Sequence, residues 1–345
     1  MTQHEITEAG MLLDEAGRLT THGYSKRPVL TYNPENVRRF PWPWANRLRL
    51  KEWDYYGTTT PEYFFSCCVS HIGYIGLVFV YYIDFRNNRL LDGIHVTPLG
   101  KGCALPVSSE TGEVEFRAGK LCLQFAREPE RRILKVHWPK LRHAGDLDAE
   151  LIVHQPRTLD SIVMATPMGD ACFYYNHKVN VMPTEGRLSI GNWQFDLHRN
   201  QALTTLDWGR GVWPYHTFWV WASLSGFLPD GRTVGWNLGR GFGDLSAATE
   251  NCFYIDGRMT KLGWVDITYD ATDHMKPWRM IADDGRLDLT FTPFYNRRSA
   301  APLVVLNTKG NQMFGRYRGT LTDDQGVKYQ IDDLIGWAED HTARW

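Results

Sequence analysis

The chain has 345 residues, more than one typical domain holds and enough for two. Its 38 Lys and Arg nearly cancel its 39 Asp and Glu, which gives no support to a nucleic-acid partner or a charged disordered tail. With 43% apolar residues, and 14 Trp, 16 Tyr and 16 Phe, it can build large cores whose aromatic faces also suit a cavity wall.

The opening stretch, MTQHEITEAGMLLDEAG, has no basic region followed by an apolar run, so no signal peptide is expected. Short helices are expected near 34–39 and at 333–341 (DLIGWAEDH). The basic stretch RRFPWPWANRLRLK, 38–51, carries Trp42 and Trp44. It reads as a loop whose tryptophans pack over a barrel mouth, with peripheral contact to an anionic membrane surface as the other reading. The apolar run 63–85 is long, but Ser66, Ser70, His71, Gly73 and Gly76 interrupt it. It reads as two buried strands with a break near Gly73–Gly76 rather than a membrane span.

From there the period is two. Alternation runs through 114–125, turning near Gly119, and through 147–153. RLSIGNWQFDL, 187–197, is a hairpin turning at Gly191-Asn192, and RYRGTLTDDQGVKYQID, 316–332, is another turning at 323–326. Many short strands joined by Gly- and Asp-rich turns predict an all-β sandwich or barrel. Two β units are expected, residues 1–200 and 201–345, with DLHRNQALTT at the boundary.

No C-x-x-C pair occurs among Cys67, Cys68, Cys103, Cys122, Cys172 and Cys252, which read as reduced, mostly buried thiols of a cytoplasmic protein. GRGFG, 239–243, lies between strand-like segments and is no nucleotide loop. There is no Walker loop, nucleophile elbow or H-E-x-x-H, and His137 and His143 make a poor metal pair. Neither cofactor nor metal is expected.

Four stretches carry candidate chemistry. In LDWGRGVWPYHTFWVWA, 206–222, a strand over 213–221 puts Trp213, Tyr215, Thr217, Trp219 and Trp221 on one face and His216 on the other. VGWNLGRGFGDLSAATEN, 234–251, brings Asn237, Asp244 and Glu250, with strand glycines that admit a close neighbour. CFYYNHKVNVMP, 172–183, alternates Tyr175 and His177 with Asn176, Lys178 and Asn180, an odd polar face beside so many rings. KEWDYYG, 51–57, adds Trp53 and Asp54.

LDWGRGVWPY, GWNLGRGFGDLSAATEN, YYNHKVN and the closing NQMFGRYRGTL and IDDLIGWAEDH resemble a bacterial family of unknown function, DUF 2804, over nearly the whole chain. At fold level that family is similar to lipocalin-like proteins that pair two calycin barrels, among them carotenoid hydratases, pericyclic cyclases and a lipid carrier. The resemblance implies an all-β fold of two tandem lipocalin-like antiparallel β-barrels. It implies function by analogy of fold alone.

If the hydratase analogy holds, a carboxyl kept protonated by burial is needed as general acid, with aromatic faces to stabilise the resulting cation. Asp207 is the first candidate, Glu250 the second and His216 the third. Trp208, Arg210, Trp213, Trp219, Tyr175, His177 and Asn237 are the expected lining. Two alternatives stand beside this. Asp207 and Arg210 also read as a structural ion pair, and His216 as a hydrogen-bonded core histidine. The chain as a whole reads as a cofactor-independent enzyme acting on an isoprenoid or lipid-like molecule, as a non-catalytic lipid-binding or lipid-transfer protein, or as a structural protein with filled cores.

Overall fold

Strict alternation of large apolar and polar side chains suits a pleated sheet with one dry face, and that pattern dominates the molecule. The computed structural model describes residues 3–302 and 307–344. It is all β, built mainly of two curled antiparallel sheets. The first sheet runs in the order Arg89–Pro98, Ile75–Asp84, Tyr63–His71, Leu50–Thr59, Leu203–Val212, Phe173–Ile190, Leu147–His154, Arg131–Trp138, Leu121–Glu128, Glu113–Ala118. The second runs Arg258–Lys261, Cys252–Ile255, Thr233–Arg240, His216–Phe227, Lys328–Arg344, Asn307–Thr322, Leu287–Pro302, Trp278–Ala282, Val265–Thr268.

Each sheet curls around its own core. Val78, Leu123, Leu151, Leu206 and Trp208 lie in the first, and Trp236, Trp278, Phe291 and Tyr317 in the second. The curl stops short of closed hydrogen-bonded barrels among the described residues. The first sheet's edge strands meet through side chains instead, His95 lying 5.6 Å from Phe116. A third apolar cluster lies at the seam between the sheets: Tyr55, Phe64, Cys68, Tyr81, Trp221, Phe314 and Trp337.

Both hairpins expected at 187–197 and 316–332 form, as do the two strands of 63–85, parted at 72–74. Four local expectations differ. The stretch 333–341 is no helix but part of strand Lys328–Arg344, because 334–341 finds partners in Asn307–Thr322 and ladder pairing overrides local period. Near 34–39 there is only one 3-10 turn, Pro34–Asn36, and the α-helix lies later at Pro43–Arg47, with Pro43 at its first turn. The strand expected over 213–221 begins at His216, and Trp213 stands outside it. The chain passes from the first sheet to the second at 213–215, beyond the boundary expected at 200/201, because Leu203–Val212 pairs on both sides within the first sheet.

The sheets are joined at one irregularity. Strand Phe173–Ile190 bulges between Val179 and Met182, and Val181, a β-branched residue, takes φ +55°. The bulge drives Asn180 into the second sheet. Its Nδ2 donates to Ser223 Oγ (2.9 Å) and to the carbonyls of Leu224 and Trp236 (both 3.1 Å). Val181 N donates to Ser225 Oγ at 3.0 Å, and Thr205 and Ser225 hydroxyls meet at 2.9 Å. Gly235 is required opposite, since a Cβ there would strike Val181 and the Leu224 carbonyl. Asn180→Ala leaves those fully buried acceptors without their donor and is expected to lower unfolding free energy in urea by about 3 kcal/mol. A loss below about 0.5 kcal/mol would show that the bulge does not join the sheets.

Candidate functional site

The two strands that follow from LDWGRG and YYNHKVN are neighbours, and their register sorts the candidate residues onto two faces. Trp208 sits between His177 and Asp54, and Arg210 between Tyr175 and Glu52; these point into the first core. Asp207 sits between Lys178 and Tyr55, on the face turned to the second sheet.

This arrangement decides the ion-pair question. Arg210 is fully buried and pairs with Asp54 at 2.8 Å, not with Asp207. It also donates to the carbonyls of Trp53 (2.7 Å) and Pro106 (3.0 Å) and lies 4.1 Å over the Trp208 ring. Its Nε, which has no hydrogen-bond partner among the described residues, lies 3.8 Å from Glu52 Oε1, so the planar guanidinium is a structural tie inside the first sheet. Tyr175 donates to the Leu30 carbonyl at 2.8 Å. His177 is held between Ser109 (2.7 Å) and Ser161 (2.8 Å), and burial pushes its imidazole well below the usual range. Trp208, Arg210, Tyr175 and His177 are therefore core residues of the first sheet, on the face away from Asp207. His216 is neither core nor near Asp207's face. It is exposed and lines an open groove of about 840 Å³ with Met168, Pro214, Phe218 and Phe242.

What the seam does collect is a charged cluster walled by rings. Lys178 Nζ lies 2.9 Å from Glu250 Oε2 and 4.2 Å over the Trp221 ring. Asn237 donates to the same Glu250 oxygen at 2.9 Å and accepts from Trp221 Nε1 at 2.7 Å. Gly239 makes room for this, because a Cβ there would collide with the Glu250 carboxylate. Across the seam Trp219 Nε1 donates to Glu339 Oε1 at 2.8 Å, while the Trp219 ring stacks on His341 at 4.1 Å. Tyr174 and Trp213 pack on Phe242, at 4.8 and 5.5 Å, and Phe242 also lies 5.3 Å from Trp219. Trp53 stacks on Trp213 at 5.2 Å and lies over Gly209, where a Cβ would occupy the space of its indole.

The electrostatics follow from this enclosure. Burial raises the Asp207 carboxyl; the charge on Lys178 and a hydrogen bond from Trp53 pull it back, and Glu250 adds to the rise. Asp207 Oδ1 is buried with no hydrogen-bond partner among the described residues. Glu339 rises to about 7, through burial first and the Asp207 charge further down, against the Trp219 hydrogen bond and Lys178. Burial opposes the charge of Lys178, but Glu250 and Asp207 outweigh it and hold its ammonium raised. Several acids around one cation cannot all be ionised cheaply, so the proton is shared within the set. Half-buried Trp53, Phe79, Trp219, Phe294 and Tyr295 keep part of their surface open around this seam. Among the described residues no group of three His, Cys, Asp or Glu is placed to hold a metal ion.

Of the expected residues, Asp207, Glu250, Trp213, Trp219 and Asn237 come together. Glu339 was missed. The signal for it was present: read as a strand, 335–341 puts Ile335, Trp337, Glu339 and His341 on one face, and the helical reading of DLIGWAEDH hid it.

The comparisons with known proteins bear on the chain as a whole. The profile of a family described as Domain of unknown function (DUF2804) matches residues 3–345. The chain belongs to the DUF2804 family. No curated protein matches this DUF2804 chain. Among solved structures it is similar to a Nitrosomonas europaea protein provisionally called AttH, at 14% identity and TM-score 0.49, covering 90% of this chain and 98% of that one. It is similar also to kievitone hydratase from Nectria haematococca, at 10% identity and TM-score 0.46, covering 91% and 95%. A third is CghA with Sch210972, at 9% identity and TM-score 0.43, covering 86% and 89%.

Glu339 makes the site legible in solution. Its carboxyl is raised from 4.5 to about 7 in the folded chain, so the folded state holds a proton that the unfolded state has released. The resulting stabilisation is complete below pH 4.5 and is lost as pH rises through 7. His341, lowered to about 4 by burial, acts in the opposite sense between pH 4 and 6.5, so only a difference measurement isolates Glu339. Glu339→Gln is expected to gain stability relative to the parent chain as pH goes from 5 to 8, measured by urea unfolding across that range. Parallel curves would place Glu339 in water.

Proposed function

We propose that this protein is a cofactor-independent enzyme that protonates an apolar, isoprenoid or lipid-like small molecule in the seam between its two sheets, a hydratase, cyclase or isomerase. The observation that carries the reading is a pair of carboxyls, Asp207 and Glu339, both biased toward the protonated form and both set among aromatic rings. A carboxylic acid kept neutral near pH 7 is a proton donor where none would exist in water.

The step balances within the chain. The Asp207 proton adds to one alkene carbon and leaves a cation on the other. Lys178, close to Asp207 across the strand pair, stabilises the carboxylate that remains. The faces of Trp53 and Trp219 and the ring of Tyr295 meet the cation. Water then captures the cation and returns a proton to the carboxylate, or a neighbouring carbon gives up its proton instead. The first outcome is hydration and the second isomerisation; attack by a second alkene of the same molecule closes a ring, and the cation so formed gives up a neighbouring proton to the carboxylate. Glu250 is held by Lys178 and Asn237 and orients the lysine rather than donating, and Glu339, which the Asp207 charge helps to keep protonated, is the second proton store of the site.

A carrier without chemistry is the second reading. The groove of about 840 Å³ lined by Met168, Phe218 and Phe242 favours it, since those side chains would hold a lipid tail unreacted. One experiment separates the two. Lipids retained through purification are identified by mass spectrometry, and the purified chain is incubated in D2O with them and with farnesol. Deuterium at carbon is expected for the parent chain. It should fall on the order of 100-fold for Asp207→Asn, with binding in calorimetry unchanged. Turnover should decline above about pH 7 and lose that limb in Glu339→Gln. Binding without deuterium in the parent chain would make the protein a carrier. Equal deuterium in Asp207→Asn would remove Asp207 as the donor.

A further inference from the structure

We propose that the segment 38–49 is a docking surface for an anionic lipid membrane. Tryptophan is a strongly buried residue type, and five of this chain's tryptophans, 208, 213, 236, 278 and 337, are at most 1% exposed. Trp42 and Trp44 are 61% and 68% exposed, with Phe40 at 41% beside them. The packing of these indoles over a barrel mouth expected from the sequence does not occur.

Their projection is built in. The buried Asn46 side chain closes the loop on Phe40, accepting from its N–H at 2.8 Å and donating to its carbonyl at 3.2 Å. Pro41 and Pro43 fix φ on either side of Trp42, and Pro43 starts the short helix Pro43–Arg47 that carries Trp44. Little conformational entropy is left to lose when the two indoles are covered. Another exposed tryptophan differs in setting: Trp193 lies under the Arg89 guanidinium at 4.9 Å.

The charge matches one occupant. Arg38, Arg39 and Arg47 are exposed and Arg49 half-buried around the same tip. Their guanidinium groups, where bonded, donate to backbone carbonyls. Arg38 reaches the carbonyl of Val37, Arg39 that of Asp170, and Arg49 that of Trp213. None of the four is in an ion pair among the described residues, so the patch stays cationic although the chain as a whole carries -1. Indoles at an interface with unneutralised arginines around them fit the headgroup layer of an anionic bilayer. The apolar rim continues to Leu99, 68% exposed, whose N–H donates to the carbonyl of Tyr74, next to Gly73 and its close contact with the Leu48 carbonyl. Arg49's bond to Trp213 sets the patch beside Pro214 and His216, at the groove.

The test is cosedimentation with vesicles of phosphatidylglycerol and phosphatidylcholine in equal parts, and of phosphatidylcholine alone. The chain is expected to pellet with the first and to be released by salt. Trp42→Ala/Trp44→Ala should weaken partitioning at least ten-fold. Arg38→Gln, Arg39→Gln and Arg47→Gln should each weaken it about five-fold. These side chains are exposed, and unchanged far-ultraviolet circular dichroism confirms that the variants fold. A parent chain left in the supernatant, or variants that pellet equally, would overturn the proposal. So would a double tryptophan variant whose only change is lost self-association in sedimentation velocity, which would make the patch a contact between copies. Vesicle binding needs no turnover, so the result stands apart from the acid chemistry at Asp207.

Discussion

The molecule depends on a kink in one strand. At Asn180–Val181 the long strand Phe173–Ile190 leaves its ladder, accepts a left-handed backbone at a valine, and thrusts an amide into the second sheet. A β-branched residue at positive φ costs on the order of 1–3 kcal/mol, and the bonds made by Asn180, Val181 N and Thr205 offset it. Without that join, two curled sheets with separate cores would have no fixed relation. With it, a third apolar cluster closes between them.

The charged cluster is a consequence of that join. Lys178 stands two residues before the kink on the same face, and the approach of the sheets sets its ammonium against Glu250 from the second sheet's loop. Gly239 and Gly235 are the complementary absences, one admitting the Glu250 carboxylate and the other the valine of the kink. The perturbed carboxyls therefore do not belong to either sheet. Asp207 comes from the first and Glu339 from the second, and Glu339 is raised partly by the charge on Asp207.

Much of this was legible in the residues. Alternation gave the strands, Gly191-Asn192 and 323–326 gave the hairpins, and the polar face of Asn176, Lys178 and Asn180 marked the seam strand before any contact was known. Asp207 stood out by its surroundings. What misled was adjacency. Asp207 and Arg210 are three apart, and in a strand residues three apart point to opposite faces, so their opposite charges never meet. Trp208 and His177 shared the aromatic and polar character of the site but lay one residue out of phase with it.

The sequence by itself determined the class of fold, the strand faces and the stock of acids and indoles, because side-chain alternation and turn chemistry act between near neighbours along the chain. Tertiary structure alone decided which carboxyls face one another, that Glu339 joins them, and that Arg210 is spent on Asp54 inside the first sheet. Those outcomes rest on register and on the approach of two sheets, and both are set by contacts between residues far apart in sequence, Asn180 with Trp236 and Trp219 with Glu339 among them.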